Sequence, residues 1–114
     1  MSDSHADKRR YPRLMREETL SIRPVGGTHG EPLRDAIYCA TVDMSAAGLQ
    51  VRLDKPLPEH QLLDMWIAML DDLGTYHLQG KVNWVRQEGS EGLVAGIQVL
   101  DSSEDLRGWQ DLFN

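Results

Sequence analysis

The sequence predicts a mainly β protein, a six-stranded antiparallel β-barrel with a C-terminal α-helix and a flexible, basic N-terminal arm. Six segments have the pattern of strands and are separated by turn residues, the apolar spacing becomes helical near the end, and basic residues concentrate near the start. A length of 114 residues, 40% of them hydrophobic, suits a single core. We expect the arm at residues 1–16 and the barrel with its helix at 17–114, together one functional domain over 8–113.

The first three strands are predicted at residues 17–24, 36–43 and 49–53. In the first, Leu20 and Ile22 alternate with polar residues, and in the third the alternation is strict. The second is rich in the β-branched and aromatic residues that half-buried strands prefer. A glycine-rich connection and a tight turn separate the three segments, as expected for strands that reverse direction.

The last three strands are predicted at residues 60–70, 75–86 and 93–100. Residues 60–70 fit a short helix or a strand, but their apolar residues share one face at period two and a turn follows at 71–74. A hairpin strand is therefore the better interpretation. In the next strand the alternation predicts one common face for Tyr76, Leu78, Gly80, Val82 and Trp84.

The end of the chain has the signals of a helix. Residues 102–105 resemble an N-cap followed by acidic residues in the first turn, where they favour the positive end of the helix dipole. Leu106, Trp109 and Leu112 or Phe113 follow at spacings of three and four, which predicts an amphipathic helix packed on the barrel.

Composition excludes several classes of protein. The net charge of −6, from 12 basic and 18 acidic residues, argues against a surface that binds DNA or RNA generally. No apolar run approaches the roughly 20 residues of a membrane span, so we expect no membrane insertion. Cys39 is the single cysteine and cannot form an internal disulfide, which favours the reducing cytoplasm. Its place within a strand predicts a buried, inert thiol.

The sequence contains no recognisable catalytic or metal-binding pattern. The four histidines stand in different elements and lack the spacing of metal ligands. Gly26, Gly27 and Gly30 lack the lysine and the following helix of a phosphate-binding loop. The adjacent Asp71 and Asp72 fit a turn. We therefore expect no enzyme activity, no cofactor and no metal.

The basic cluster near the start is the first segment with distinctive chemistry. Residues 8–23 hold six basic side chains against two acidic ones, a local charge of +4, whereas residues 24–114 sum to −8. Within the cluster, Arg9 and Arg13 form the pattern Arg-x-x-x-Arg, and Pro12 disfavours a helix just before it. Guanidinium groups bind phosphate and the O6/N7 edge of guanine. A solvated, disordered tail is the alternative interpretation.

The second such segment lies between two predicted strands. Asp43, Ser45 and Gly48 form the pattern Asp-x-Ser-x-x-Gly. A carboxylate accepts hydrogen bonds from N1 and N2 of guanine, and a hydroxyl is a short, adaptable partner. Glycine permits positive φ or the close approach of a ligand. Alone, the pattern also fits an ordinary turn that Asp43 caps.

The order of the two motifs, their separation by about 30 residues and the six-strand remainder together resemble the PilZ domain family. The resemblance covers residues 8–113 and includes the glycine of the final strand, Gly96. Proteins of this family bind the bacterial second messenger cyclic di-GMP. The resemblance implies that Arg9 and Arg13 bind phosphate and the guanine Hoogsteen edge, and that Asp43, Ser45 and Gly48 hold the Watson–Crick side.

Three further residues are ligand candidates by this resemblance. Lys8 precedes the arginine motif, where the family's residue influences whether one dinucleotide or an intercalated pair is bound, and a basic residue is compatible with the pair. Arg10 suits either a phosphate contact or solvent. Trp84 lies where family members often place an aromatic residue beside the ligand, although packing in the core or at the barrel rim is the alternative.

The resemblance thus implies a cytoplasmic receptor whose arm closes over cyclic di-GMP and which signals to a downstream protein partner. A ligand-independent protein-interaction adaptor on the same barrel is the alternative, and the complete motifs count against it. Binding of single-stranded nucleic acid by the arm and a barrel face is a third hypothesis, which the acidic body of the protein disfavours.

Overall fold

The computed structural model describes residues 13–14, 18–26, 31–69, 74–90 and 92–113. Within these ranges the chain forms eight strands and one helix. In chain order they are β1 (Arg13–Leu14), β2 (Thr19–Gly26), β3 (Glu31–Pro32), β4 (Ile37–Ser45), β5 (Gly48–Leu53), β6 (Leu62–Met69), β7 (Gly74–Gln87), β8 (Leu93–Val99) and α1 (Leu106–Asp111).

Six of these strands form a closed antiparallel barrel. Around the barrel their order is β2, β4, β5, β8, β7 and β6, and the ring closes because β6 also pairs with β2. The predicted six-stranded barrel with a C-terminal helix is therefore confirmed, whereas the predicted arm at residues 1–16 lies outside the described residues except for Arg13 and Leu14. The strand interpretation of residues 60–70 is also correct, since they contain β6. Within the described ranges, no helix has the length and apolar character needed to cross a membrane.

The two shortest strands pair outside this ring, β1 with β4 and β3 with β2. The register of β2 with β4 ends at Ala40, which lies opposite Thr19, and the Thr41 N–H donates one further hydrogen bond to the Glu18 carbonyl oxygen at 2.9 Å. Strand β4 then continues, and β1 pairs with its last two residues, so that Arg13 of the predicted arm lies opposite Ser45. Two-residue strands show no alternation, and the sequence therefore does not predict β1 or β3.

The core fills the interior of the barrel with the alternating apolar residues of all six strands. Fully burying one such side chain contributes about 1.5–3 kcal/mol. Helix α1 packs against the barrel through Trp109, which is fully buried and meets Tyr76 and Phe113 edge to face. The side chains with the least exposure include Leu20, Ile22, Met44, Val51, Met65, Ile67, Leu78, Val82 and Ala95.

The predicted helix is correct and its N-cap position, Asp105, lies in the predicted segment, but the predicted acidic first turn is wrong. The helix begins at Leu106, and its cap residue Asp105 makes no side-chain capping hydrogen bond. Strand β8 ends opposite Gly80, so beyond this point β7 has no strand neighbour on that side. The polar segment supplies one: Asp105 Oδ2 accepts from the His77 N–H at 2.7 Å, and Ser103 Oγ accepts from the Gln79 N–H at 2.7 Å.

Candidate functional site

A β-bulge in β4 turns Asp43 toward the outside of the barrel. The pairing of β4 with β5 shifts by one residue between Thr41 and Asp43. After the shift Met44 lies opposite the core residue Leu49, and Asp43 lies opposite Gln50 on the outer face. Without the extra residue the alternation would place Asp43 inward and Met44 outward.

A second bulge, in β7, corrects the predicted position of Trp84. The pairing with β8 shifts between Val82 and Trp84, so the common face predicted for these two residues is wrong. Val85 packs against the core instead, and Trp84 lies over Gly96 on the outer face, where a Cβ atom at residue 96 would overlap the indole. Gly96 faces outward because its neighbours Ala95 and Ile97 both belong to the core.

A cavity of about 400 Å³ lies on the outer face of β4, β5, β8 and β7, and Trp84 and Gly96 are among the residues that line it. The motif residues Ser45 and Gly48 line it together with Trp84. Asp43 is 7% exposed and adjoins this wall through its partner Gln50. The cavity also contains three carboxamide side chains, those of Gln50, Asn83 and Gln98.

Two hydrogen bonds fix the turn between β4 and β5, one inside the turn and one from helix α1. Ser45 Oγ donates a hydrogen bond to the Gly48 carbonyl oxygen at 3.2 Å. The buried indole N–H of Trp109 donates to the Ser45 carbonyl oxygen at 3.1 Å. The seryl side chain and the backbone of the motif are thereby fixed relative to each other and to helix α1.

Gly48 meets a requirement of the barrel itself. Its φ is not positive. A Cβ atom built on it would lie only 2.6 Å from the Ile97 carbonyl oxygen of β8, so β5 and β8 approach each other here more closely than any side chain permits. The backbone approach, rather than a left-handed conformation, explains the glycine of the motif.

The arginine motif meets this turn through β1. Arg13 is the register partner of Ser45, and directly opposed residues of antiparallel strands have Cα atoms about 4.5–5.5 Å apart. Lys8, Arg9 and Arg10 lie outside the described residues. Two motifs that are distant in sequence therefore adjoin at the level of the backbone.

Four lining or bordering residues have no place in the sequence prediction of the site. The three carboxamides carry only a weak signal, a polar side chain at an outward position of a strand. Arg86 is the fourth: its guanidinium lies 4.7 Å from the Trp84 ring centroid, and its Nε lies 3.1 Å from Glu88 Oε2. The alternation of apolar and polar residues does not reveal the bulge in β7 that places Trp84 on the outer face.

The remaining reactive side chains lie away from the cavity. Burial, assisted by the charge of Asp54, raises the pKa of Cys39 to about 12, so the thiol stays protonated near neutral pH. The pKa of His77 is raised by its hydrogen bond to Glu104 and by the charge of Asp64. Among the residues that the structure describes, no three His, Cys, Asp or Glu side chains form a group that could hold a metal ion.

Comparison with solved structures finds several similar folds. The Bacillus subtilis inhibitor of motility (MotI/DgrA) has a TM-score of 0.72 and 15% identity, with 91% of this chain covering 48% of that one. The PilZ domain of Escherichia coli YcgR, solved with c-di-GMP, has a TM-score of 0.64 and 17% identity, with 92% of this chain covering 88% of that one. For the PilZ domain of CeSA from a cellulose-synthesizing bacterium the values are 0.61 and 14%, with coverages of 89% and 93%.

The chain spans about half the length of the inhibitor of motility, and at these identities the likeness concerns the fold. Comparison with curated proteins gives no match. The PilZ domain family matches residues 7–111. This match extends over nearly the whole chain and includes both motifs and all six barrel strands. The chain therefore belongs to the PilZ domain family.

Proposed function

We propose that this protein is a receptor for cyclic di-GMP and binds it without chemical turnover, between the arginine arm and the turn that contains Ser45. Membership in the PilZ domain family supports this, as does the presence of c-di-GMP in the related domain of Escherichia coli YcgR. The signal then passes to a protein partner that recognises the ligand-bound form.

The observation that carries the proposal is the pairing of Arg13 with Ser45 across β1 and β4. This register brings the Arg-x-x-x-Arg motif to the turn of the Asp-x-Ser-x-x-Gly motif, beside a cavity of about 400 Å³. The stability of a surface turn that binds no ligand does not require an arginine-bearing strand, several carboxamides and an outward indole beside it. A ligand with phosphates and planar bases would use all three.

Each motif residue has a part in this proposal. Arg9 and Arg13 bind a phosphate or the O6/N7 edge of guanine, for which the guanidinium fork is suited. The Asp43 carboxylate accepts hydrogen bonds from guanine N1 and N2, and the Ser45 hydroxyl adds a further contact. The Trp84 indole offers a face for base stacking, which contributes about 1–3 kcal/mol per base.

The arm provides the attraction for a small dianion. The chain carries a net charge of −6, but the segment from Lys8 to Arg23 carries +4. Lys8 and Arg10 would add phosphate contacts at the start of this segment, and Lys8 is compatible with a second, intercalated dinucleotide. Closure of the arm over the ligand would then change the surface that a partner meets.

Isothermal titration calorimetry with cyclic di-GMP tests the proposal. The parent protein should bind, and Arg9→Ala or Arg13→Ala should weaken binding about tenfold or more, since each removes a charge-assisted contact of about 1–3 kcal/mol. Arg34→Ala is the matched control, because Arg34 is exposed and does not line the cavity. Linear pGpG, which has the same bases, should bind more weakly.

Two results would contradict the proposal. The absence of heat at tens of micromolar cyclic di-GMP, in a sample that circular dichroism shows to be folded, would exclude the receptor function. Equal affinity of the parent, Arg9→Ala and Arg13→Ala would exclude the assigned site. A pull-down whose yield ignores cyclic di-GMP would then favour the ligand-independent adaptor.

A further inference from the structure

The turn between β4 and β5 separates the ligand cavity from helix α1. On one side lies the cavity of about 400 Å³, and on the other a cleft of about 220 Å³ between the turn, β8 and the helix. Ala47 and Gln98 line both spaces, whereas Leu106 and Gln110 of α1 line the cleft alone. Because the two spaces share these residues, a displacement of the turn would change the shape of both the cavity and the cleft.

Trp109 connects the helix to this turn through its most buried polar contact. The indole is fully buried, and its N–H donates to the Ser45 carbonyl oxygen at 3.1 Å. Tyr76 and Phe113 hold the ring by edge-to-face contacts with centroid distances of 5.9 and 5.1 Å. A second hydrogen bond fixes the turn, because the Val99 N–H donates to the Ala47 carbonyl oxygen at 2.9 Å.

The residue held in this way is also the residue that carries the motif hydroxyl. The Ser45 carbonyl and side chain share one Cα atom, and the side chain is tied in turn to the Gly48 carbonyl oxygen. A buried carbonyl that loses its donor is left unsatisfied, so the peptide would rotate to find another partner. The hydroxyl would rotate with it, and the register with Arg13 would be disturbed.

We propose that Trp109 is a positioning residue for the ligand turn and that docking of helix α1 is thermodynamically linked to cyclic di-GMP binding. This inference rests on the proposed function. Because linkage is reciprocal, ligand binding tightens the helix by the same factor by which helix docking raises the affinity. Helix α1 is thereby the element through which occupancy of the cavity would affect the surface on the far side of the turn.

The three tryptophans allow the parent protein to test this by nuclear magnetic resonance of the indole N–H groups. Trp84 lines the cavity, Trp109 contacts the turn, and Trp66 stacks on His77 away from both. On titration with cyclic di-GMP, the Trp84 and Trp109 signals should shift and the Trp66 signal should stay in place. A shift of Trp84 with a stationary Trp109 would overturn the linkage and leave the receptor function intact. If no signal moves, the receptor function fails, and the linkage fails with it.

A pair of variants measures the positioning role directly. Trp109→Phe keeps an aromatic ring but loses the N–H donor, whereas Leu106→Ala removes helix packing without contacting Ser45. With helix α1 still docked in both variants at the assay temperature, Trp109→Phe should weaken cyclic di-GMP binding about fivefold or more, and Leu106→Ala, which keeps the hydrogen bond to Ser45, less than about twofold. Equal losses in the two variants, or parent-like affinity of Trp109→Phe, would refute the positioning role.

Discussion

The indole of Trp84 lies directly over the backbone of Gly96, on a row of outward residues that crosses four neighbouring strands. Asp43 is the register partner of Gln50, Gln50 of Gly96, and Gly96 of Trp84. The bulges in β4 and β7 bring the two ends of this row to the outer face, and the glycine in the row leaves the space that the indole occupies.

A Gly96→Ala substitution should therefore displace the indole from the cavity wall. We expect the affinity for cyclic di-GMP to fall about tenfold, as for the loss of base stacking, with about 1–3 kcal/mol lost from the free energy of unfolding. Calorimetry and urea denaturation measure the two quantities. In a Trp84→Ala background the same substitution should not lower the affinity further, and additive losses would contradict this explanation.

Gly48→Ala should destabilise the barrel even without ligand. The new Cβ atom would meet the Ile97 carbonyl oxygen, which belongs to the backbone and cannot move aside as a side chain can. We expect a loss of about 1–3 kcal/mol in the free energy of unfolding, measured with urea. Gly108→Ala is the control: its nearest neighbour is the Tyr76 ring at 3.3 Å, and alanine favours a helix by up to about 1 kcal/mol. Parent-like stability of Gly48→Ala would show that β5 can shift away from β8.

The cluster around His77 should make stability depend on pH. His77 Nδ1 lies 2.7 Å from Glu104 Oε1, its Nε2 lies 3.5 Å from Asp64 Oδ1, and Arg23 lies 3.9 Å from Asp64. The hydrogen bond to Glu104, with the charge of Asp64, raises the pKa of His77 above 6.5. Protonated His77 therefore stabilises the folded protein. This contribution is complete at pH values below the pKa of the histidine in the unfolded chain, and it is lost as the pH rises through the raised pKa of the folded state.

Glu104→Gln tests this dependence. The variant should unfold about 1–4 °C below the parent near pH 6, and the difference should shrink as the pH rises through the raised pKa of His77. Glu59→Gln removes an exposed carboxylate of the same type outside the cluster and should show no such trend. A deficit for Glu104→Gln that grows with pH would have the wrong sign for a raised histidine pKa.

Cys39 should resist thiol reagents in the folded protein. With its pKa at about 12, the thiolate fraction near neutral pH is about a thousandfold below that of a thiol with the ordinary value of 9.0. Reaction with Ellman's reagent should be correspondingly slow and should accelerate on unfolding in urea. Rapid modification of the folded protein would mean that the thiol is not desolvated as the structure indicates.

The sequence predicts the barrel well because periodic burial is a local signal. Strands such as β5 and β6 have an apolar residue at every second position, as Leu49, Val51 and Leu53 of β5 illustrate. The same logic fails where one extra residue enters a strand. Alternation alone assigns Trp84 to the core, and only the pairing with β8 reveals that it lies outside.

The helix start and the site carboxamides illustrate two other limits. Asp105 and Ser103 are residue types that favour an N-cap. Their side-chain oxygens instead accept hydrogen bonds from the backbone N–H groups of His77 and Gln79, at the edge of β7 beyond the end of β8. Gln50 and Gln98 resemble any solvent-exposed glutamine until the pairing of β5 with β8 places Gln98 opposite Gly48 and Gln50 opposite Gly96. The roles of these residues depend on partners that are distant in sequence, and a single sequence does not show which residues pair.

The incomplete closure between β2 and β4 has a consequence for self-association. Beyond Thr41, whose N–H still donates to the Glu18 carbonyl oxygen, no residue of β2 is in register with β4, and without β1 the last residues of β4 would form an open edge, a template on which strands of other chains can add. Strand β1 covers the last two residues of this edge with the backbone of Arg13 and Leu14. The segment that contains Arg13, which we propose binds the ligand, therefore also covers an edge on which other chains could otherwise add.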